Sequence, residues 1–412
     1  MKQHFFHMSC TSTSCFCWVL LLSGILLNGC NSNDLSDLND LANANLQTTS
    51  YLIELDLDLT AEQVVSSSPV QNDNKAKANF VFDLASNAVA GQVNINKVDS
   101  NVIAVQICRG FGGQNGNPVA ELFVTENPDV WRLADDVVLS DSDVDLLVRG
   151  GLYVQVATIK HVQGDLRSQL IIGTQELMVN PLAAEQVVTN SSSSVSIGTS
   201  YLTVDYLTGD VQGSIRLSED LQAQQVELRQ GVAGVEGETI LAYEADNNEP
   251  GLWNIPHDTT LAAPLVEVLT TAGAYLQVSS QTYPQGELRG QVYPAYYYVD
   301  VVELSGLNLD PQVATQANGK VYLTLDGING DVQAIVHLQD IALSNAIIYR
   351  INNPNNFSNK APLFEFEQHQ DYWQLPEGSV FENRDFVELG KGRLQLIVTS
   401  PDYPLGEIGG WL

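Results

Sequence analysis

Four landmarks return at one period through this 412-residue chain. Asp83, Asp205 and Asp326 are 122 and 121 residues apart. Trp131, Trp253 and Trp373 follow at 122 and 120, as do Gly164, Gly286 and Gly406. The run Leu59-Thr60-Ala61-Glu62-Gln63-Val64-Val65 returns 123 residues on as Leu182-Ala183-Ala184-Glu185-Gln186-Val187-Val188. A weaker third copy begins near Leu307, with Pro311-Gln312-Val313 at the place of the Glu-Gln-Val. Solenoid repeats run to about 20–50 residues, so units this long must each bury a core of their own. The sequence predicts three domains, residues 49–173, 174–295 and 296–412. The links Ile171-Ile172-Gly173-Thr174 and Tyr293-Pro294-Ala295 are short, which predicts a stiff array.

Within each copy the dominant period is two. Tyr51 to Leu59 alternates apolar and acidic residues, and Ala90 to Ile95 alternates around Gly91-Gln92-Val93-Asn94. Leu207-Thr208-Gly209-Asp210 and Thr324-Leu325-Asp326-Gly327 carry turn residues between such runs. A helical period fits only Ser140–Leu147 and its counterpart Thr259–Leu269. Many short strands with regular turns predict an all-β chain of tandem antiparallel Greek-key sandwich or barrel domains. The three tryptophans are expected to pack against the cores.

The N-terminus reads differently. An apolar stretch from Trp18 to Leu27 leads into Leu27-Asn28-Gly29-Cys30 and then a polar tail. A spanning helix needs roughly 20 apolar residues, and this stretch has the length of a signal-peptide core. The run resembles the lipobox of bacterial lipoproteins, which implies cleavage of residues 1–29, acylation of Cys30, and a membrane partner held through the acyl chains. Asn31, rather than an aspartate, implies the outer membrane. Residues 30–48 read as a flexible tether. Removal of the signal takes away Cys10, Cys15 and Cys17, leaving Cys108 as the one thiol beside Cys30. No intramolecular disulfide is then expected, and Cys108, in the alternating Val105-Gln106-Ile107-Cys108, is expected as a buried small hydrophobe.

Charge narrows the partners. The chain has 18 Lys and Arg against 49 Asp and Glu. Only Lys2 leaves with the signal, so 17 against 49 gives −32 for the remainder. Such a balance disfavours nucleic acid and anionic lipid surfaces.

Each copy closes on a similar motif: Gly164-Asp165-Leu166-Arg167-Ser168-Gln169, Gly286-Glu287-Leu288-Arg289-Gly290-Gln291, and Gly406-Glu407-Ile408-Gly409-Gly410. An aromatic strand precedes it, Tyr153-Val154-Gln155-Val156 or Tyr275-Leu276-Gln277-Val278. This pattern resembles the CHRD domain, the chordin-type module also found in bacterial secreted proteins, and the resemblance covers nearly all of residues 49–412. It implies an immunoglobulin-like or superoxide-dismutase-like sandwich. Members of that family carry a histidine set that looks like a metal site. Here the corresponding positions are Gln106, Cys108 and Ala157 in copy one, and Glu227, Arg229 and Ser279 in copy two. In copy three they fall near Ile348, Arg350 and Thr399. A transition metal needs three or four converging ligands, so no metal role follows from the resemblance. The closing motif itself reads as structural: Gly for the turn, Leu288 inward, and Glu287 and Arg289 outward, with Arg167 and Arg289 expected to pair with acids.

Catalytic signatures are absent from the pattern. His161, His257, His337 and His369 occupy unrelated repeat positions, and no Gly-x-Ser-x-Gly elbow occurs. Asp141-Ser142-Asp143-Val144-Asp145 begins like a calcium loop but has Leu146 and Leu152 where Gly and Glu belong. No cofactor is expected, and a loosely held calcium ion is the one to test. The leading reading is a non-catalytic, lipid-anchored envelope protein that presents a binding or structural surface to an envelope or extracellular protein or polysaccharide. The alternative is a hydrolase of an extracellular polymer, acting through a carboxylate pair.

Overall fold

The computed structural model describes residues 52–412 except 66–69, 71, 99, 189–191, 343, 353–358 and 370. Copy one consists of β1 (Leu52–Leu59), β2 (Lys75–Asp83), β3 (Ala88–Lys97), β4 (Val102–Arg109), β5 (Pro118–Val124), β6 (Val130–Leu133), α1 (Asp141–Val148), β7 (Leu152–Thr158) and β8 (Leu166–Gln169). Its strands lie in the order β1-β2-β3-β6-β5-β4-β7-β8, all antiparallel. The hairpin-linked β4, β5 and β6 sit between β3 and β7, which makes two overlapping Greek keys. Thr60 and Arg167 exchange main-chain hydrogen bonds of 3.2 and 2.9 Å, bringing the end of β1 against β8 and nearly closing the sheet into a barrel.

Copy two repeats the order with β9 (Gln175–Leu182), β10 (Gly198–Asp205), β11 (Val211–Leu217), β12 (Ala223–Gln230), β13 (Thr239–Ala242), β14 (Glu244–Ala245), β15 (Leu252–Asn254), α2 (Ala263–Thr270), β16 (Ala274–Ser280) and β17 (Leu288–Val292), but the counterpart of β5 is split into β13 and β14, which leaves two sheets, β9-β10-β11-β15-β14 and β13-β12-β16-β17. Copy three repeats the order with β18 (Tyr297–Ser305), β19 (Asn318–Asp326), β20 (Val332–Gln339), β21 (Asn345–Ile351), β22 (Lys360–Glu365), β23 (Glu367–His369), β24 (Tyr372–Gln374), α3 (Asn383–Gly390), β25 (Leu394–Thr399) and β26 (Ile408–Trp411). The closing contact recurs as Ala183 with Arg289 and as Ser305 with Gly409. The chain is therefore all-β, as its period-two pattern implies. In β2, Ala76, Ala78, Phe80 and Phe82 point inward, while Lys75, Lys77 and Asn79 are exposed. Each copy has its own apolar core, and Trp131, Trp253 and Trp373 pack, half-buried, against those three cores.

The landmark aspartates close hairpins. Asp205 accepts from the main-chain N–H groups of Leu207 and Thr208 at 2.8 and 3.0 Å, and Asp326 from that of Ile328 at 2.7 Å. Burial works against the charge of Asp205, but these donors and the Thr174 hydroxyl outweigh it and lower its pKa.

The structure shifts three boundaries. The second helix begins at Ala263 rather than Thr259, because Thr259 and Thr260 are spent extending the pairing with Asp210 and Val211, and Pro264 suits the first helical turn. A third helix, α3, follows Glu382, whose main-chain N–H donates to Asp385 at 3.0 Å. The copy-three counterpart of Ala184-Glu185-Gln186 is Gly306-Leu307-Asn308, not Pro311-Gln312-Val313. Both segments form a 3-10 turn entered through the same extended residue, Ala183 or Ser305. No helix among the described residues is long and apolar enough to cross a membrane.

Candidate functional site

The closing motif is a fastening strip on which three side chains each hold a different connection. Gly164, Gly286 and Gly406 adopt φ of +133°, +131° and +140°, a conformation that L side chains rarely take. The next residue, an acid, turns to the link between the first two strands. Asp165 accepts from Asn74 and Asn72 at 2.8 and 3.2 Å, Glu287 from Ser194 at 2.8 Å, and Glu407 from Thr315 at 2.7 Å. Leu166, Leu288 and Ile408 then enter the cores. Gln169 donates to the carbonyls of Gly110 and Gly150, and Gln291 to those of Gly231 and Ala272.

The arginines depart from expectation. Arg167 and Arg289 are 1% and 2% exposed, and their N–H groups go to main-chain carbonyls rather than to surface acids. Arg167 bonds Gln114 and Phe111 at 2.8 and 3.2 Å, and Arg289 bonds Val235 and Val232 at 2.9 and 3.0 Å. The loop after β4 or β12 folds over the outer face of the last strand and shuts the guanidinium away from solvent. Burial pulls both pKa values down to about 10. Each cation also lies over a tyrosine ring, Tyr153 at 3.5 Å and Tyr275 at 3.6 Å.

The loops that these arginines shape are the ones that dock onto the following copy. Gly113 of copy one lies against Tyr201 and Ser214 of copy two, where a Cβ would come within 2.8 Å and 2.2 Å of their side chains. Gly234 of copy two lies against Tyr322 and Ile335 of copy three, where a Cβ would come within 2.9 Å of both. These positions are equivalent in the repeat, 121 residues apart. The Gly113 carbonyl accepts from Arg216 Nε at 2.7 Å, and the Gly234 carbonyl bonds His337 Nε2 at 2.7 Å.

Beside the first joint lies a polar groove of about 490 Å³, walled by Phe111, Gln114 and Asn115 of copy one and by Gln212, Asp246 and Asn254, among others, of copy two. Gln114 and Asn254 bond across the joint at 3.0 Å. The repeat does not reveal this groove, because its residues lie where the copies differ. A signal was nevertheless present in amides gathered at Gln114-Asn115, Asn247-Asn248 and Asn254.

The positions of the family's histidines fall on adjacent strands. Gln106 faces Gln155 across the β4–β7 ladder, and Glu227 faces Gln277 across β12–β16. In copy three the counterparts are Ile347 and Tyr349, one residue before Ile348 and Arg350, because Tyr349 pairs with Gln395 as Arg229 pairs with Tyr275. Cys108 is 3% exposed, and burial raises its pKa, as befits a small core residue. No group of three His, Cys, Asp or Glu able to hold a metal ion occurs among the described residues. The acidic run at Asp141 forms the first turn of α1, where both carboxylate oxygens of Asp143 are held by Arg109 at 2.7 and 3.1 Å. Arg350 and Asp385 repeat this pair in copy three. Copy two has Gln230 and Leu265 at these places, so both partners are replaced together. Cys30 lies outside the described residues.

No curated protein matches the chain. Among solved structures, one titled "Biofilm associated protein - BSP domain" aligns over 95% of this chain and 84% of that one, at 9% identity and a TM-score of 0.12, a likeness too slight to bear on fold or function. The CHRD domain matches three times, over residues 55–170, 178–292 and 301–412, each match taking in one copy's core and closing motif, and the chain therefore belongs to the CHRD-domain family.

Proposed function

We propose that the chain is a non-catalytic, lipid-anchored protein of the bacterial outer membrane. Its three domains, docked in series, hold a binding or structural surface away from the lipid. The repeated joint carries this reading. At both joints a glycine loop of one copy seats against the same strand positions of the next, while no reactive side-chain set recurs with it. A fixed series of domains suits display or spacing, where an enzyme would need one organised reactive centre. The anchor rests on Leu27-Asn28-Gly29-Cys30, and the outer-membrane placement on Asn31.

Metabolic labelling with a palmitate analogue, followed by membrane fractionation, tests the anchor. The chain should take up label and sediment with outer membranes, and Cys30→Ser should lose both properties. An unlabelled chain, or a Cys30→Ser chain that still sediments, would contradict it. Protease treatment of intact cells then separates outward from periplasmic display.

A further inference from the structure

We propose that the groove beside the first joint binds a neutral, hydroxyl-rich ligand, a segment of an oligosaccharide chain. The proposal assigns a ligand class to the binding half of the reading above and does not depend on the anchor.

The groove, at about 490 Å³, lies in the range of small-ligand sites. Its wall contains an amide that the fold leaves unused. Gln212 is 7% exposed, and its side chain makes no hydrogen bond among the described residues, although it lines the groove. Its amide atoms are not sealed from solvent, so they are open to the groove, and a ligand hydroxyl there can take the place of water. At the rim, the side chains of Asn247, Asn248 and His257 also face the groove without a hydrogen bond among the described residues.

The docked loops supply an internal control. Phe111, Gln114 and Asn115 at the first joint correspond to Val232, Val235 and Glu236 at the second, where Val232 and Val235 pack in an apolar cluster with Tyr322 and Ile335. Docking therefore does not require amides, and their presence at the first joint calls for another account.

The lining selects among ligands. An amide offers both donor and acceptor, which matches a hydroxyl that is also both. Glu244, Asp246 and Glu249 line the groove as well, and the chain's net charge of −31 adds to their repulsion of anions. No lysine or arginine lines it. Arg216 does not line it, and two of its three nitrogens are engaged with the Gly113 carbonyl and Glu249. One aromatic ring, Phe111, offers an apolar face of the kind a sugar ring can cover.

The test is saturation-transfer NMR and calorimetry on the detergent-solubilised full chain. The probes are maltohexaose, cellohexaose and N-acetylchitohexaose, with hexagalacturonate as the anionic counter-probe. At least one neutral hexasaccharide should bind, and hexagalacturonate should not. Gln212→Leu should weaken binding about tenfold or more without lowering the melting temperature, since it removes an unpaired amide. The rim variant Asn247→Ala/Asn248→Ala, at exposed positions, should weaken binding too. The proposal is overturned if none of the three neutral probes binds at about 10 mM, if binding is indifferent to both variants, or if only hexagalacturonate binds. Such a failure would leave Cys30 acylation, read separately by labelling, untouched.

Discussion

The two joints use one geometry and differ in whether an apolar cluster lies beneath it. At the first, copy one and copy two meet largely through polar contacts: Ser214 to the Gly112 carbonyl at 2.9 Å, Arg216 to Gly113 at 2.7 Å, and Gln114 to Asn254 at 3.0 Å. At the second, Ala233, Tyr322 and Ile335 form a buried cluster with Val188, Val232 and Val235, around which Tyr322, His337 and Lys320 bond the carbonyls of Val187, Gly234 and Glu185 at 3.2, 2.7 and 2.9 Å. Ser214 and Ile335 occupy the same repeat position, as do Gln114 and Val235. Docking thus depends on loop shape and on a glycine that permits close approach, while the surrounding side chains are free to differ. That freedom is what allows one joint to carry an open polar groove and the other an apolar cluster.

The largest expected effect comes from emptying the apolar cluster at the second joint. Tyr322→Ala should cost about 3–5 kcal/mol at the second joint, as large-to-small aromatic changes in cores do. It should be read as lost hydrogen-exchange protection in the 232–237 loop. Tyr201→Ala at the first joint should cost less, because Tyr322 anchors an apolar cluster across its joint and bonds the Val187 carbonyl, whereas Tyr201 belongs to no such cluster. Equal losses would break the comparison.

The middle copy bears both joints, and among the buried groups that weaken it is the Tyr243 hydroxyl. It has no hydrogen-bond partner among the described residues, and burial pushes its pKa up. Phe366 stands at the same bend in copy three, where its main-chain N–H meets Ala346 as that of Tyr243 meets Val226. Tyr243→Phe should stabilise copy two by about 1 kcal/mol, seen as a higher denaturant midpoint with both joints unchanged. A loss of stability would refute this account.

Salt should separate the joints more gently. The first includes Arg149 of copy one bonded to Asp258 of copy two at 3.2 Å, an exposed pair, and should loosen by a few tenths of a kcal/mol between about 0.1 and 1 M salt. The second should hold or tighten, and joint-specific hydrogen exchange would show which occurs.

The smallest effect is a pH dependence. Burial works against the charge of Asp143, but bonds from Arg109 and Ser140 prevail and hold its pKa below the usual 3.8. A depressed folded pKa contributes stability above the unfolded value and loses it as pH falls through the folded one. Copy one should therefore lose this contribution in acid below about pH 4, and Asp143→Asn should remove that part of the dependence. Copy two, with Gln230 and Leu265 at these places, should lack it.

Much of the fold was legible because it rests on periodicities. Alternation at period two exposed the strands, and the spacing of Asp83, Asp205 and Asp326 exposed the repeat through a local need for a side-chain acceptor at a turn. The role of Arg167 was not legible. A charged residue on the outer face of a strand normally meets solvent, and only the fold of a loop some 55 residues earlier, at Phe111–Asn115, buries it. The groove was hidden for a related reason: its walls come from two copies, and Gln114 and Gln212 meet only when the copies dock. Copy three misled at Ile348 by one residue, because the register there is set by Tyr349 pairing with Gln395 rather than by any motif.

The central claim is that the copies are held in a fixed series by their glycine loops. Residual dipolar couplings measured for the three cores of one aligned chain test it directly, because domains that tumble together share one alignment tensor. The account predicts a common tensor for all three copies, and a Gly234→Val chain in which copy three departs from the other two. Three tensors of differing magnitude in the unaltered chain would mean that the joints do not hold, and the serial arrangement would fall with them.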